Sequence, residues 1–323
     1  MIGTLVPDVM ARHCFEKEIR VSAADIAQRY MVHGLQTLNE IERIDVVGAV
    51  RVKPWPTTKV LRFVCCEQAI EKGSIRGCGY YNLPFLGFWL RELSIVSAVK
   101  KWAMLQENRD DIFVLVYAMS SSGMKAASVV KKIIPAARIV LCVPDIPLLM
   151  KPGGKLRNFA KQIDWFRINR LRKFIDKYLL YTKYMAEYLK LEQGRWQLFE
   201  GLIDEIRIVD KPEKKTEPPI CLYAGNLDSR YGIDSLIEAF TYLKRKATLQ
   251  IYGAGTAEEQ NRIRLLVKDK PGIEYKGHVT QDEIFQIMKT STLLMNPRPT
   301  NLKLSKYSCP SKTFEYMASG TPV

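Results

Sequence analysis

Residues 220–256 read ICLYAGNLDSRYGIDSLIEAFTYLKRKATLQIYGAGT. An apolar run, Ile220 to Tyr223, enters a polar turn with glycine at Gly225 and Gly232, and an amphipathic stretch of helical length follows from Ile233 to Leu243. A second apolar run, Thr248 to Tyr252, then closes on the glycine pair Gly253 and Gly255. Strand, helix and strand in this order predict α/β architecture with a parallel sheet.

Working outward, the alternation continues with a helix over Ala257 to Lys268, a strand at Ile273 to Tyr275, a helix over Gln281 to Met288, a strand at Thr292 to Met295 and a helix over Lys312 to Ala318. Gly320-Thr321-Pro322-Val323 reads as a helix stop leading toward another buried strand, so the second domain is expected to be incomplete. Upstream, DKPEKKTEPP at Asp210 to Pro219 has three prolines, dense charge and no large apolar side chain, as a linker would. Before it, strands are expected at Ile2 to Val6, Ile44 to Val50, Leu61 to Cys66, Ile112 to Tyr117, Arg138 to Val143, Lys177 to Tyr181 and Trp196 to Glu200. Helices are expected at Ser22 to Leu38, Pro84 to Gln106, Ser121 to Ile134 and Lys155 to Ile175. The division is 1–208, an acceptor-side domain; 209–219, a linker; and 220–323, a nucleotide-sugar domain, an assignment of roles that rests on the resemblance given below. A length of 323 residues suits two cores rather than one.

Composition narrows the class. With 47% hydrophobic and 26% charged residues the chain is globular. Seven cysteines without a CxxC pair signal neither a disulfide framework nor a zinc site, and a reducing cytoplasm fits. The apolar run at the N-terminus meets Asp8, Arg12 and His13 too early for a signal peptide, and Leu83 to Leu105 is broken by Arg91, Glu92, Lys100 and Lys101, against a bilayer span. A formal charge of +15 implies an anionic partner: nucleic acid, acidic lipid or a phosphorylated small molecule.

Paired doubly wound domains place ligands at the carboxyl ends of their strands, in a cleft. Three turns of the second domain are therefore candidates. In the first, Gly225 and Gly232 permit close backbone approach and Arg230 could hold phosphate; an ordinary strand-to-helix turn is the alternative. The second, Gly253-Ala254-Gly255, lacks the third glycine and the ribose-binding acid of the dinucleotide fingerprint. In the third, SKTFEYMASGTPV at residues 311–323, Ser311 suits an N-cap, while Lys312 and the free helix amides converge on one anion, as for a diphosphate. Glu315, a turn later, could accept hydrogen bonds from vicinal hydroxyls such as those of ribose; a near-miss capping box is the alternative.

These residues, with NPRPT at Asn296 to Thr300, KYSCPSKTFEYMASGTPV at Lys306 to Val323, YAGNLDSRYGID at Tyr223 to Asp234 and FEGLID at Phe199 to Asp204, resemble bacterial GT-B glycosyltransferases. They are most like the retaining, family-four-like enzymes of exopolysaccharide and capsule assembly. SAADIAQRYMVHGL at Ser22 to Leu35 and IVLCVPDIP at Ile139 to Pro147 fit the same group. The resemblance implies two Rossmann-like domains facing a cleft, with Glu315 on the donor ribose, Lys312 on the diphosphate and Gly277-His278-Val279 at the base.

Three departures accompany it. Tyr307 stands where many relatives carry a second acid, Asn226 and Tyr231 replace the usual Arg and Lys of the first turn with Arg230 adjoining, and Asp145 occupies the place of a His. No Asp-x-Asp motif ends a strand, so no metal or other cofactor is expected, and the leaving diphosphate falls to Lys312, Arg230 and helix amides. Asp145 could orient or deprotonate the acceptor hydroxyl; a turn aspartate between prolines is the alternative.

Lys151 to Lys190 holds eleven Lys or Arg against three acids. Leu156, Phe159, Ile163, Phe166, Leu171 and Phe174 recur near helical spacing, so this segment could lie on anionic lipid, or pack its apolar side into the core with a solvated basic face. Nucleic acid ranks below membrane contact because no helix-turn-helix, zinc-finger or aromatic RNP pattern is present. The function expected is transfer of a sugar from a nucleotide-sugar donor to a lipid-linked glycan acceptor, by a cytoplasmic protein on the inner membrane face. The alternatives are a silent, truncated binding subunit and, below it, a sugar-nucleotide epimerase of the same fold.

Overall fold

The computed structural model describes residues 1–17, 23–107, 111–150, 154–203, 208–209, 216–243, 246–300, 303–309 and 311–323. Ser22, Lys151, most of the expected linker (residues 210–215), Asp204 of FEGLID and Pro310 lie outside them, as do the side chains of Leu156 and Ser311. The chain forms two compact units, Met1–Glu200 with Tyr307–Cys309, and Gly201–Lys306 with Pro310–Val323.

In chain order the first unit comprises β1 (Ile2–Gly3), α1 (Asp8–Glu16), α2 (Ala23–Gln36), β2 (Ile44–Gly48), β3 (Arg62–Phe63), β4 (Cys66–Ile70), β5 (Gly73–Gly77), β6 (Tyr80–Tyr81), α3 (Gly87–Met104), β7 (Phe113–Tyr117), α4 (Ser121–Ile133), β8 (Arg138–Val143), α5 (Lys155–Leu171), β9 (Lys177–Leu180), α6 (Tyr184–Leu189) and β10 (Trp196–Leu198). Its sheet runs β10-β9-β8-β7-β1-β2-β5-β4, parallel throughout except for the antiparallel edge pair β4–β5. The winding direction reverses between β7 and β2 around β1, which makes the unit doubly wound. Val114, Val116, Ile139, Leu141, Val143, Tyr178 and Leu180 are buried, and α4 covers them with Met124, Ala126, Ala127 and Val130. Central strands enclosed on both faces read as unbroken apolar runs, which is why the sequence locates them well.

The edge differs from expectation. In place of one strand over Leu61 to Cys66, β3 and β4 pair antiparallel with β6 and β5, Phe63 facing Tyr80 and Cys66 facing Gly77. The half-buried alternation of CEQAI carries too little apolar signal to announce a strand, and its partner was not expected at all. Helix α1 was likewise not expected. The helix expected to reach Ile175 stops at Leu171 and tightens into a 3-10 turn over Arg172–Phe174, and that expected to reach Leu243 changes likewise after Phe240.

The second unit has β11 (Ile220–Asn226), α7 (Ile233–Phe240), β12 (Thr248–Ala254), α8 (Ala257–Val267), β13 (Ile273–Gly277), α9 (Gln281–Thr290), β14 (Leu293–Leu294), α10 (Lys303–Lys306) and α11 (Ser311–Ala318). Its four strands are parallel in the order β13-β12-β11-β14. Alternation along β11 divides the core. Cys221 and Tyr223 pack with Leu236, Ile237 and Ile263 of α7 and α8, while Leu222 and Ala224 pack with Ile284, Phe285, Met288 and Tyr316 of α9 and α11. Helices α8 and α9 each start with a capping box, Thr256 with Glu259 and Thr280 with Glu283, which satisfies amides the helix itself leaves unpaired. Thr216, within the expected linker, is tied to this unit by its amide, which donates to Thr290 O at 3.0 Å. Among the described residues no helix is long and apolar enough to cross a membrane.

Candidate functional site

The carboxyl ends of β11, β12, β13 and β14 carry the turns singled out in the second unit. At the first, the Asn226 Oδ1 accepts from Asp228 N at 2.9 Å, and Asp228 accepts from Arg230 through N, Nε and Nη2 at 3.1, 3.0 and 3.0 Å. The hydrogen bonds to Asp228 hold the Arg230 guanidinium above its ordinary pKa. Its charge is balanced within the turn, and Asp228 engages the Nε and Nη2 edge of the guanidinium.

The glycines have separate reasons. Gly232 takes φ 83°, and a Cβ there would stand 2.0 Å from Pro297 O, so the Asn296–Thr300 loop lies against this turn. Gly253 is the register partner of Gly225, and a Cβ on it would come within 2.1 Å of Gly225 O. At Gly253 the close approach is thus strand to strand, and at Gly225 the nearest neighbour is the Tyr223 hydroxyl. Gly255 adjoins Glu259 of the α8 capping box. Gly277 ends β13 with φ 84°, followed by exposed His278 and by half-buried Val279, which packs on the core beneath α9.

The third turn is organised by α11. This helix begins at Ser311, one residue earlier than expected, so Ser311 occupies the first helical position and not the cap. Glu315 is only 9% exposed, and its Oε2 accepts both from Lys312 Nζ at 2.6 Å and from Gln281 Nε2 at 2.9 Å. Residues three apart on a helix share a face, which brings Lys312 and Glu315 together; Gln281, at the start of α9, arrives from the end of β13. The segment Gly277-His278-Val279 is thereby linked to the Glu315 carboxylate through the residue two beyond it. Asn296 Nδ2 donates to Thr313 Oγ1 at 3.1 Å and so joins the Asn296–Thr300 loop to the same helix.

Tyr316 sets the position of α11 on the sheet. Its hydroxyl is buried, accepts from Ala224 N at 2.9 Å and donates to Ala224 O at 3.1 Å, and burial raises its pKa. Phe314, two residues before it, packs so tightly over Gly201 that a Cβ there would meet the ring at 2.3 Å. Replacing Tyr316 by Phe leaves both Ala224 groups without this partner and is expected to lower stability by about 1–3 kcal/mol. Urea unfolding checks this, and an unchanged midpoint would mean that the hydroxyl does not anchor the helix.

Asp145 belongs to the first unit, just beyond β8, where its backbone pairs with Ser308 in an antiparallel bridge. Tyr307 packs its ring edge-on against Tyr188 at 5.3 Å, and Tyr188 in turn meets Trp165 at 6.1 Å. Trp165 is therefore part of a half-buried aromatic cluster. Gln281, which donates to Glu315, and Tyr316, which positions α11, are the contacts that reading the sequence missed. The sequence places Gln281 at the start of a helix, but nothing local indicates that it faces a residue 34 positions away.

Residues 218–323 match the family described as Glycosyl transferases group 1. No curated protein matches the chain by sequence. Among solved structures, Anabaena HepE in complex with UDP is 12% identical with a TM-score of 0.58, over 100% of this chain and 78% of that one. The catalytic domain of starch synthase IV from Arabidopsis thaliana, bound to ADP and acarbose, is 10% identical at TM-score 0.61, covering 99% and 80%. WaaG, a glycosyltransferase involved in lipopolysaccharide biosynthesis, is 11% identical at TM-score 0.60, covering 100% and 80%. Two Rossmann-like α/β units, these likenesses and the matched segment together give the chain the GT-B fold, with the sequence pattern of the glycosyl transferases group 1 in its second unit.

Proposed function

We propose that the protein is a glycosyltransferase that moves a sugar from a nucleotide-sugar donor to a growing, lipid-linked surface polysaccharide, working at the inner face of the cell membrane. The observation that carries this reading is the nearly buried Glu315 carboxylate, held by Lys312 and Gln281 at the strand ends of the segment that matches the family. The nucleoside diphosphates bound to similar structures, UDP with HepE and ADP with starch synthase IV, support a donor of that chemistry.

In this proposal the vicinal hydroxyls of the donor ribose donate to Glu315 and take the place of Lys312. The freed ammonium and the amides at the start of α11 then face the diphosphate, where a helix N-terminus favours negative charge. As the bond from the sugar C1 to the phosphate oxygen breaks, its electron pair passes to the diphosphate, and C1 gains oxocarbenium character. Lys312 and the α11 amides take up the growing charge, and no metal is invoked. The acceptor hydroxyl bonds to C1 and gives its proton to a base, a role assigned to Asp145 or to the departing phosphate oxygen.

The test combines thermal melts and nucleotide release by the full chain with UDP-, GDP-, dTDP- and ADP-sugars. A true donor at a hundredfold excess over its Kd should stabilise the folded state by about 2.7 kcal/mol. A flat response across the whole panel, with no nucleoside diphosphate released, sinks the proposal.

A further inference from the structure

Helix α5 does not turn its phenylalanines into the core, and so departs from the core-packed one of the two arrangements that its periodicity suggests. Phe159, Ile163 and Phe166, spaced by four and three residues, are 61%, 47% and 58% exposed. Beside the fully buried Ile168, Arg167 is the charged residue that turns inward, and its Nη2 donates to both Glu92 oxygens at 2.6 and 2.7 Å. Helix α3 shows the same inversion, with Leu86 at its start and Trp89 and Leu93 along it exposed, and Phe85 just ahead 86% exposed.

Arg167 makes the two stripes adjoin. It follows Phe166 directly, lies one helical turn from Ile163, and stacks its guanidinium over the Trp89 ring at 4.6 Å. The charges around the apolar side chains have one sign. Each helix has a single acid, and both are engaged: Glu92 with Arg167, and Asp164 with the Ser121 hydroxyl, which donates to it. Lys155, Arg157, Arg170 and Lys173 remain exposed, with Arg170 lying over the Phe166 ring at 4.8 Å.

A soluble surface of this kind is costly to leave in water, since contiguous exposed apolar side chains mark an interaction site. Aromatic residues beside lysine and arginine suit the boundary between headgroups and acyl chains, where the rings bury and the cations reach anionic phosphates. A protein partner of matching shape would ask for polar groups of mixed sign, and the outward faces of α3 and α5 offer cations alone as charges.

We propose that this face of the first unit docks on an anionic lipid bilayer, with Trp89, Phe159 and Phe166 entering the interface and the four exposed cations of α5 and its following turn contacting headgroups. The proposal does not depend on the donor site, which lies in the second unit, and vesicle binding reads it without any nucleotide.

The test is flotation of the full chain with vesicles of neutral phosphatidylcholine and with vesicles that also contain phosphatidylglycerol. Binding should require the anionic lipid and weaken as salt is added. The paired substitution Phe159→Ser, Phe166→Ser should lower the affinity about tenfold or more, since two half-exposed rings no longer bury. Arg157→Gln with Arg170→Gln should also weaken binding and flatten its salt dependence, while circular dichroism melts of both variants stay unchanged. Equal binding to the two vesicle types, or affinity unaltered by both pairs, overturns the proposal. So does a dimer in sedimentation velocity that the Phe159→Ser, Phe166→Ser pair dissociates, because the face would then join two copies of the chain.

Discussion

Glu315→Ala is expected to remove the thermal stabilisation that a nucleotide-sugar confers and to reduce sugar transfer with it. A carboxylate that accepts two hydroxyl hydrogen bonds contributes through charge-assisted bonds, so its loss should weaken donor binding by about thirty- to a hundredfold. The fold itself should change little. Lys312, left without its partner, is about one-third exposed and can turn to water, and Tyr316 still fixes α11 to Ala224. Melting temperature without ligand is therefore the control, and melting with ligand is the readout. Lys312→Ala separates the two halves of the site, because it should weaken binding of a nucleoside diphosphate while leaving that of the bare nucleoside nearly as it was. Equal nucleotide binding by wild type and Glu315→Ala would remove Glu315 from the donor site and with it the main support for transferase function.

Arg167→Met is expected to destabilise the first unit by about 3 kcal/mol, the usual cost of leaving one member of a buried pair without its counter-charge. The Glu92 side chain is only 10% exposed, and one Arg167 nitrogen, Nη2, donates to both of its oxygens. The same guanidinium donates to Ser121 Oγ at 3.3 Å and lies over the rings of Phe88 and Trp89, so its removal also loosens packing between α3, α4 and α5. A double variant, Arg167→Met with Glu92→Leu, should regain part of the loss, because no charge is then buried unpaired. Denaturant unfolding followed for the single and double variants decides it. A double variant that loses the full sum of both single changes would show that packing, and not the charge pair, holds the three helices.

Much of the site was legible because it depends on neighbours along the chain. Lys312 and Glu315 meet through helical spacing, and the turns at Gly232 and Gly277 require φ values that glycine supplies. Arg230 was legible as a cation at a helix start, but its engagement by Asp228 two residues earlier was not read from the sequence. The basic segment around α5 shows the same limit. Its composition and period are evident in the sequence, but which side of the helix faces in depends on Glu92, 75 residues away.

By itself the sequence determined the alternation of the central strands with the helices between them and put Lys312 and Glu315 one turn apart on a short helix, because each rests on contacts within a few residues. Only the tertiary structure decided that β4 and β5 close the sheet edge antiparallel, that Gln281 joins Glu315, that Tyr316 fastens α11 to Ala224, and that α5 turns its phenylalanines outward. Those outcomes depend on which distant polar group must be satisfied when two elements pack. A buried carboxylate such as that of Glu92 needs a cation more than a phenylalanine needs cover, and so the charge goes in and the ring stays out.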